Sequence, residues 1–131
     1  MAFSRKAGFA VMLAAVTAFS AGAHAEGLAG TYRGHVTLLF SDRHVETGGM
    51  VLKLSEQDGA LAGTAGPSAD AQSPVTNLSA GRQLQFDTGK DSALPLHYDL
   101  QRFGAQWRGD VVGKSQGHAV MGRATLLRDP D

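Results

Sequence analysis

The chain has 131 residues, 43% hydrophobic and 18% charged, with twelve basic residues balancing twelve acidic ones and no cysteine. That length and apolar share predict a single domain with one core. The charge balance argues against a nucleic-acid binder built on clustered Lys and Arg, and the missing cysteine excludes disulfide and thiolate chemistry.

Residues 1–25 read as a secretory signal. Arg5 and Lys6 supply the positive start, Ala7 to Ala18 is apolar, and Ala23-His24-Ala25 has the small-x-small form of a cleavage site. The apolar run is shorter than the roughly 20 residues a membrane-spanning helix needs. No lipid-attachment cysteine lies nearby. Cleavage after Ala25 is expected to leave residues 26–131 as one β-barrel domain with no membrane span. Its ten basic and twelve acidic residues carry a formal charge of −2. The expected destination is the bacterial periplasm or the exterior.

Beyond residue 26 the pattern has a period of two. Tyr32, Gly34, Val36, Leu38 and Phe40 share one face of the first strand, opposite Thr31, Arg33, His35 and Thr37. Met50, Leu52 and Leu54 repeat the alternation. Asp58-Gly59 then makes a tight turn, because this dipeptide tolerates positive φ. Leu61, Gly63 and Ala65 follow, before "GPSADAQSP" breaks the pattern. Val75 and Leu78 lie out of phase in a fourth strand, which points to a bulge. Leu84 and Phe86 form a short fifth strand, and Leu94 to Leu100 a sixth. Trp107, Gly109 and Val111 mark a seventh strand, and Val120, Gly122, Ala124 and Leu126 mark the last.

One oily and one charged face per strand is the habit of antiparallel sheets. The predicted fold is therefore all-β: a single antiparallel up-and-down barrel of about eight strands, with a sandwich or half-open barrel as the alternative. Short connections favour closure, which also removes exposed sheet edges. A barrel crossing the outer membrane is excluded, because its outer face would be apolar. Here that face carries Arg33, Lys53, Arg108, Asp110 and Arg123.

Alternate connections emerge at opposite ends. "SDRHVETG" (41–48), "GPSADAQSP" (66–74), "TGKDSA" and "GKSQG" gather at one rim, and "EQDG", "AGR" and "FG" at the other. The rim with longer loops is the expected working end, with Asp42, His44, Glu46, Asp70, Lys90 and Lys114 as its candidate residues. Inward glycines beside large aromatics have two readings. The large side chains fill the vacancies, or they leave a pocket lined by Phe40, Met50, Phe86, Tyr98 and Trp107.

In pattern the chain resembles the calycin group of lipocalins, avidins and their bacterial relatives. Gly30-Thr31-Tyr32 sits where those families carry Gly-x-Trp, and Arg128 where they carry a basic residue after the last strand. Gly59-Ala60-Leu61-Ala62-Gly63-Thr64 is similar to the second hairpin of avidin-like barrels. The resemblance implies an eight-stranded barrel, ligand binding as a family habit, and Tyr32 with Arg128 as a plug of the closed end. Tyr32 replaces the family tryptophan, and Trp107 is the chain's one Trp, so biotin binding is not implied.

Reactive chemistry finds little support. His44, His118 and a rim carboxylate could be imagined around zinc, but solvated surface histidines explain them more simply. Ser41, Asp42 and His44 are close in sequence, yet a loop does not fix a triad. Asp99 and Asp110 face outward near basic residues and read as surface ion-pair partners rather than paired catalytic acids. No enzyme activity, metal or cofactor is expected. The expected role is an exported binding module for a small hydrophobic molecule at the open rim or interior. The alternative is a protein-interaction or inhibitor module that meets an envelope or secreted protein through loops 41–48 and 66–74.

Overall fold

The computed structural model describes residues 27–130, so the expected signal segment lies outside the described residues. Nine strands run in chain order: β1 Gly30–Leu39, β2 Val45–Gln57, β3 Ala60–Ser68, β4 Ala71–Pro74, β5 Thr76–Ala80, β6 Gln83–Thr88, β7 Leu96–Phe103, β8 Gln106–Ser115 and β9 His118–Arg128. They form one sheet in the order β4-β3-β2-β1-β9-β8-β7-β6-β5, with every pairing antiparallel.

The two ends of that order are consecutive in the chain. Only Val75 separates β4 from β5, and its N–H donates to the Gly63 carbonyl at 3.0 Å. The sheet thus curls nearly into a barrel; β5 is the predicted fourth strand, and β4 is an additional short strand within the segment expected to be a loop. Pro74 sits at the break, where a residue without an N–H ends ladder pairing. Just beyond it the register of β5 on β6 shifts between Thr76 and Ser79, and Asn77 takes φ of 53°. This is the bulge that the out-of-phase pair implied, and it lets Val75 and Leu78 both pack on the core.

The lining is continuous and oily. Tyr32, Leu38, Met50, Leu52, Leu54, Leu84, Phe86, Tyr98, Leu100, Trp107, Val111, Val120, Ala124 and Leu126 belong to one buried cluster. No polar or charged residue is buried among the described residues. Phe86 and Tyr98 oppose each other on β6 and β7 and stack, with ring centroids 4.6 Å apart and planes 10° from parallel.

Two inward glycines answer the question of why small residues interrupt this lining. A Cβ on Gly34 would lie 1.7 Å from the Thr125 carbonyl oxygen, and one on Gly122 would lie 1.9 Å from that of Thr37. Both sit in the β1–β9 pairing. Their role is close approach of backbone to backbone where the wall bends, so neither marks a vacant space for a ligand.

The lower end is closed by the segment that precedes β1. Leu28 is buried in the core cluster. The Tyr32 hydroxyl donates to the Leu28 carbonyl at 2.8 Å, and the Arg128 guanidinium donates to the Ala29 carbonyl at 2.7 Å. Arg128 is the last residue of β9, directly opposite Tyr32, rather than a residue beyond the strand. Asp58 and Gly59 at this end both adopt positive φ, as a tight hairpin turn requires.

The upper connections are shorter than the sequence suggested. The expected loop 41–48 reduces to the turn 40–44, because β2 already begins at Val45. The expected loop 66–74 is a hairpin in which β3 runs to Ser68 and β4 starts at Ala71. "GKSQG" contributes only the turn Gln116-Gly117. Gly, Ser, Thr and Asp favour turns by local propensity, but ladder hydrogen bonds to a preceding strand extend the hairpins through them. The segment 89–95 remains irregular. It is pinned where the Ser92 N–H and hydroxyl both bond the Gly89 carbonyl.

Candidate functional site

The open mouth is built by the β1–β2 and β8–β9 turns. Glu46 pairs with inward-facing Leu38, so it stands on the lumen side of β2 above the core. His44 stacks on Phe40, with centroids 4.3 Å apart and planes 7° from parallel. Both its ring nitrogens meet carboxylates: Nδ1 contacts Asp42, and Nε2 lies 2.9 Å from Glu46. The His44 N–H also donates to Asp42 at 3.0 Å, a local bond of the kind that shapes tight turns. Across the mouth stand Ser115, Gln116, His118 and Val120, and together these groups line a cleft of about 540 Å³.

The carboxylates hold the His44 imidazolium, so its pKa is raised above the ordinary 6.5, Glu46 contributing most and Asp42 next. Asp42 is lowered from its ordinary 3.8, first by the His44 backbone N–H and then by the His44 ring. Only the imidazolium has two N–H groups to donate at once. The cluster is a charged clasp on an apolar floor of Phe40 and Val120. His44 and His118 line one cleft, but the His44 nitrogens are turned to Asp42 and Glu46. No group of three or more His, Asp or Glu side chains among the described residues is arranged to hold a metal.

A second cleft, of about 600 Å³, lies at the upper edge of β5 to β8 beside the segment 89–95. Asp87 and His97 are cross-strand partners, with His97 Nδ1 2.5 Å from one Asp87 oxygen. Asn77, turned by the bulge, donates to the other oxygen at 2.7 Å. Asp87 is therefore lowered from its usual pKa, by Asn77 first and His97 second. Lys90, Lys114, Thr88, Pro95, Leu96 and Val112 complete the walls.

The candidate residues from the sequence thus divide. Phe40, Asp42, His44 and Glu46 meet at the mouth, whereas Lys90 and Lys114 meet at the second cleft. Asp70 lies in the β3–β4 turn and lines neither of the two. Met50, Phe86, Tyr98 and Trp107 are packed in the core and line neither cleft. Burial pushes the Tyr98 phenol up, partly offset by a hydrogen bond with Thr88. Asp110 has an ion pair with Arg123 at 3.8 Å, but Asp99, directly opposite Asp110, has a buried oxygen without a hydrogen-bond partner. The expected ion pairing holds for only one of these carboxylates.

Asn77, Asp87 and His97 were not legible as a group. Alternation places Asp87 and His97 on the outer face, but only the β6–β7 register sets them opposite each other.

No protein-family model matches this chain, and no curated protein matches it. The fold is similar to a crystal structure of a protein of unknown function from Nostoc punctiforme, a member of the DUF3598 family. The TM-score is 0.49 and the identity 14%, over 80% of this chain and 49% of the other. The chain therefore spans about half the length of that neighbour.

Proposed function

We propose that this chain is an exported, non-enzymatic binding module that takes a small hydrophobic molecule at the open mouth of a calycin-like barrel. The observation that supports this most is the mouth cleft, where Phe40 and Val120 form an apolar floor beneath the Asp42–His44–Glu46 clasp. Apolar contact there would supply affinity and the polar rim would supply orientation. Of the rim and the interior, the rim is favoured, since Phe86, Tyr98 and Trp107 are packed in the core.

Titration with the neutral fluorescent probe N-phenyl-1-naphthylamine tests it. Probe emission is expected to rise with the native protein and to fall away with Phe40→Asp, while far-ultraviolet circular dichroism keeps its β signature. Equal enhancement by both proteins would refute the mouth as the site.

A second reading, contact with an envelope or secreted protein, is favoured by a different feature. Val45, Leu39, Met121 and Val112 sit at successive cross-strand positions on β2, β1, β9 and β8, and all four are exposed. This row lies just outside the mouth, near the turn 40–44.

A further inference from the structure

We infer a second binding site on the upper outer wall, in which Lys90 and Lys114 hold the oxyanion of a small organic carboxylate or phosphate ester whose apolar part lies on Pro95 and Val112 beside His97. The site is independent of the mouth. It lies on the other flank of the β8–β9 hairpin, which gives Gly113 and Lys114 to this cleft and Ser115 and Gln116 to the mouth.

The charge balance of the cleft points to an anion. Asp87 is its one carboxylate, and both oxygens are already engaged, one by His97 and one by Asn77. Neither lysine ammonium has a hydrogen bond or ion pair among the described residues, although both line the same cleft. Two uncommitted ammonium groups beside a compensated carboxylate leave a net positive concavity, and oxyanions form their strongest hydrogen bonds with such charged donors.

Asp87 also orients the imidazole. The ionised carboxylate accepts a hydrogen bond from the Nδ1 N–H and fixes the ring, as paired carboxylates commonly do for histidine. Nε2 has no partner among the described residues, and with the proton on Nδ1 it is an acceptor for a ligand hydroxyl. Val112 stands directly opposite His97 on β8 and is exposed despite being aliphatic, so an apolar surface abuts the polar one. A bare inorganic ion would use the lysines and leave that surface wet. An amphipathic anion uses both.

The test is nuclear magnetic resonance titration of the protein with octanoate, octyl phosphate, inorganic phosphate and neutral 1-octanol. Octanoate and octyl phosphate are expected to shift the resonances of His97, Val112 and Lys114. Inorganic phosphate is expected to bind more weakly, and octanol to leave these signals in place. The double variant Lys90→Gln/Lys114→Gln removes two charge-assisted contacts and is expected to weaken octanoate by ~10-fold or more. Phe40→Asp is expected to leave the octanoate shifts unchanged, which separates this site from the mouth. Octanol matching octanoate, a double variant that binds normally, or shifts centred on Phe40 and Val120 would each overturn the assignment.

Discussion

Replacing Phe86 with alanine probes whether the barrel is filled. Phe86 has no exposed surface, and its ring lies 4.6 Å from that of Tyr98 across β6 and β7. Truncating a buried Phe to Ala costs about 3–5 kcal/mol, through lost transfer energy and the cavity left behind. Loss of the stacked pair accounts for roughly 0.5–1.5 kcal/mol of that. A domain of this size is stable by only about 5–15 kcal/mol, so roughly a fifth of the margin or more goes. At about 4–8 °C per kcal/mol for a domain near 100 residues, Tm should fall by roughly 12 °C or more. Thermal unfolding followed by circular dichroism and by Trp107 emission reads the shift. Urea unfolding should show a lower midpoint at unchanged slope, the sign of altered stability in the same native fold. A loss below about 1 kcal/mol would mean that the ring lines hollow space, contrary to the cavity cost expected in a packed core.

Gly34→Ala should destabilise by roughly 1–3 kcal/mol or more, because its methyl would meet the Thr125 backbone at 1.7 Å. Gly48→Ala, whose methyl would meet nothing within 4 Å, should stay within about 0.5 kcal/mol in the same denaturation assay. For the clasp, His44 has its folded pKa raised above 6.5, so its contribution is complete below that value and disappears as pH rises through the raised pKa. Asp42 has its folded pKa lowered below 3.8, so its contribution is present above 3.8 and disappears as pH falls through the lowered pKa. Hydrogen exchange of the turn 40–44 should therefore be slowest, after correction for intrinsic rates, in mildly acidic solution between those limits. A His44 titration midpoint at or below 6.5 would contradict this.

Strand alternation made most of the barrel legible. Tyr32, Leu52, Phe86, Leu100, Trp107 and Leu126 all face inward as their phase requires, because a pleated strand turns successive side chains to opposite faces and water sorts them. Even the bulge of β5 left a trace in the mismatched phases of Val75 and Leu78. The loops escape this logic for the opposite reason. Residues 45–48 and 66–74 look like turns by composition, but a growing hairpin offers their N–H and C=O groups partners that local propensity does not anticipate.

The sequence by itself determined the period-two pattern, the separation of oily and charged faces, and the short hairpins that favour pairing of neighbouring strands. Those follow from covalent alternation and from the cost of wetting apolar surface. Tertiary structure decided how the site residues are grouped and which partners they meet. Asp87 meets His97 through strand register, and Asn77 reaches Asp87 through a bulge. Glu46 joins His44 over the mouth because β2 begins four residues earlier than its composition implies. Each depends on a relative placement of segments that a linear pattern does not encode, since a shift of one residue exchanges the two faces of a strand.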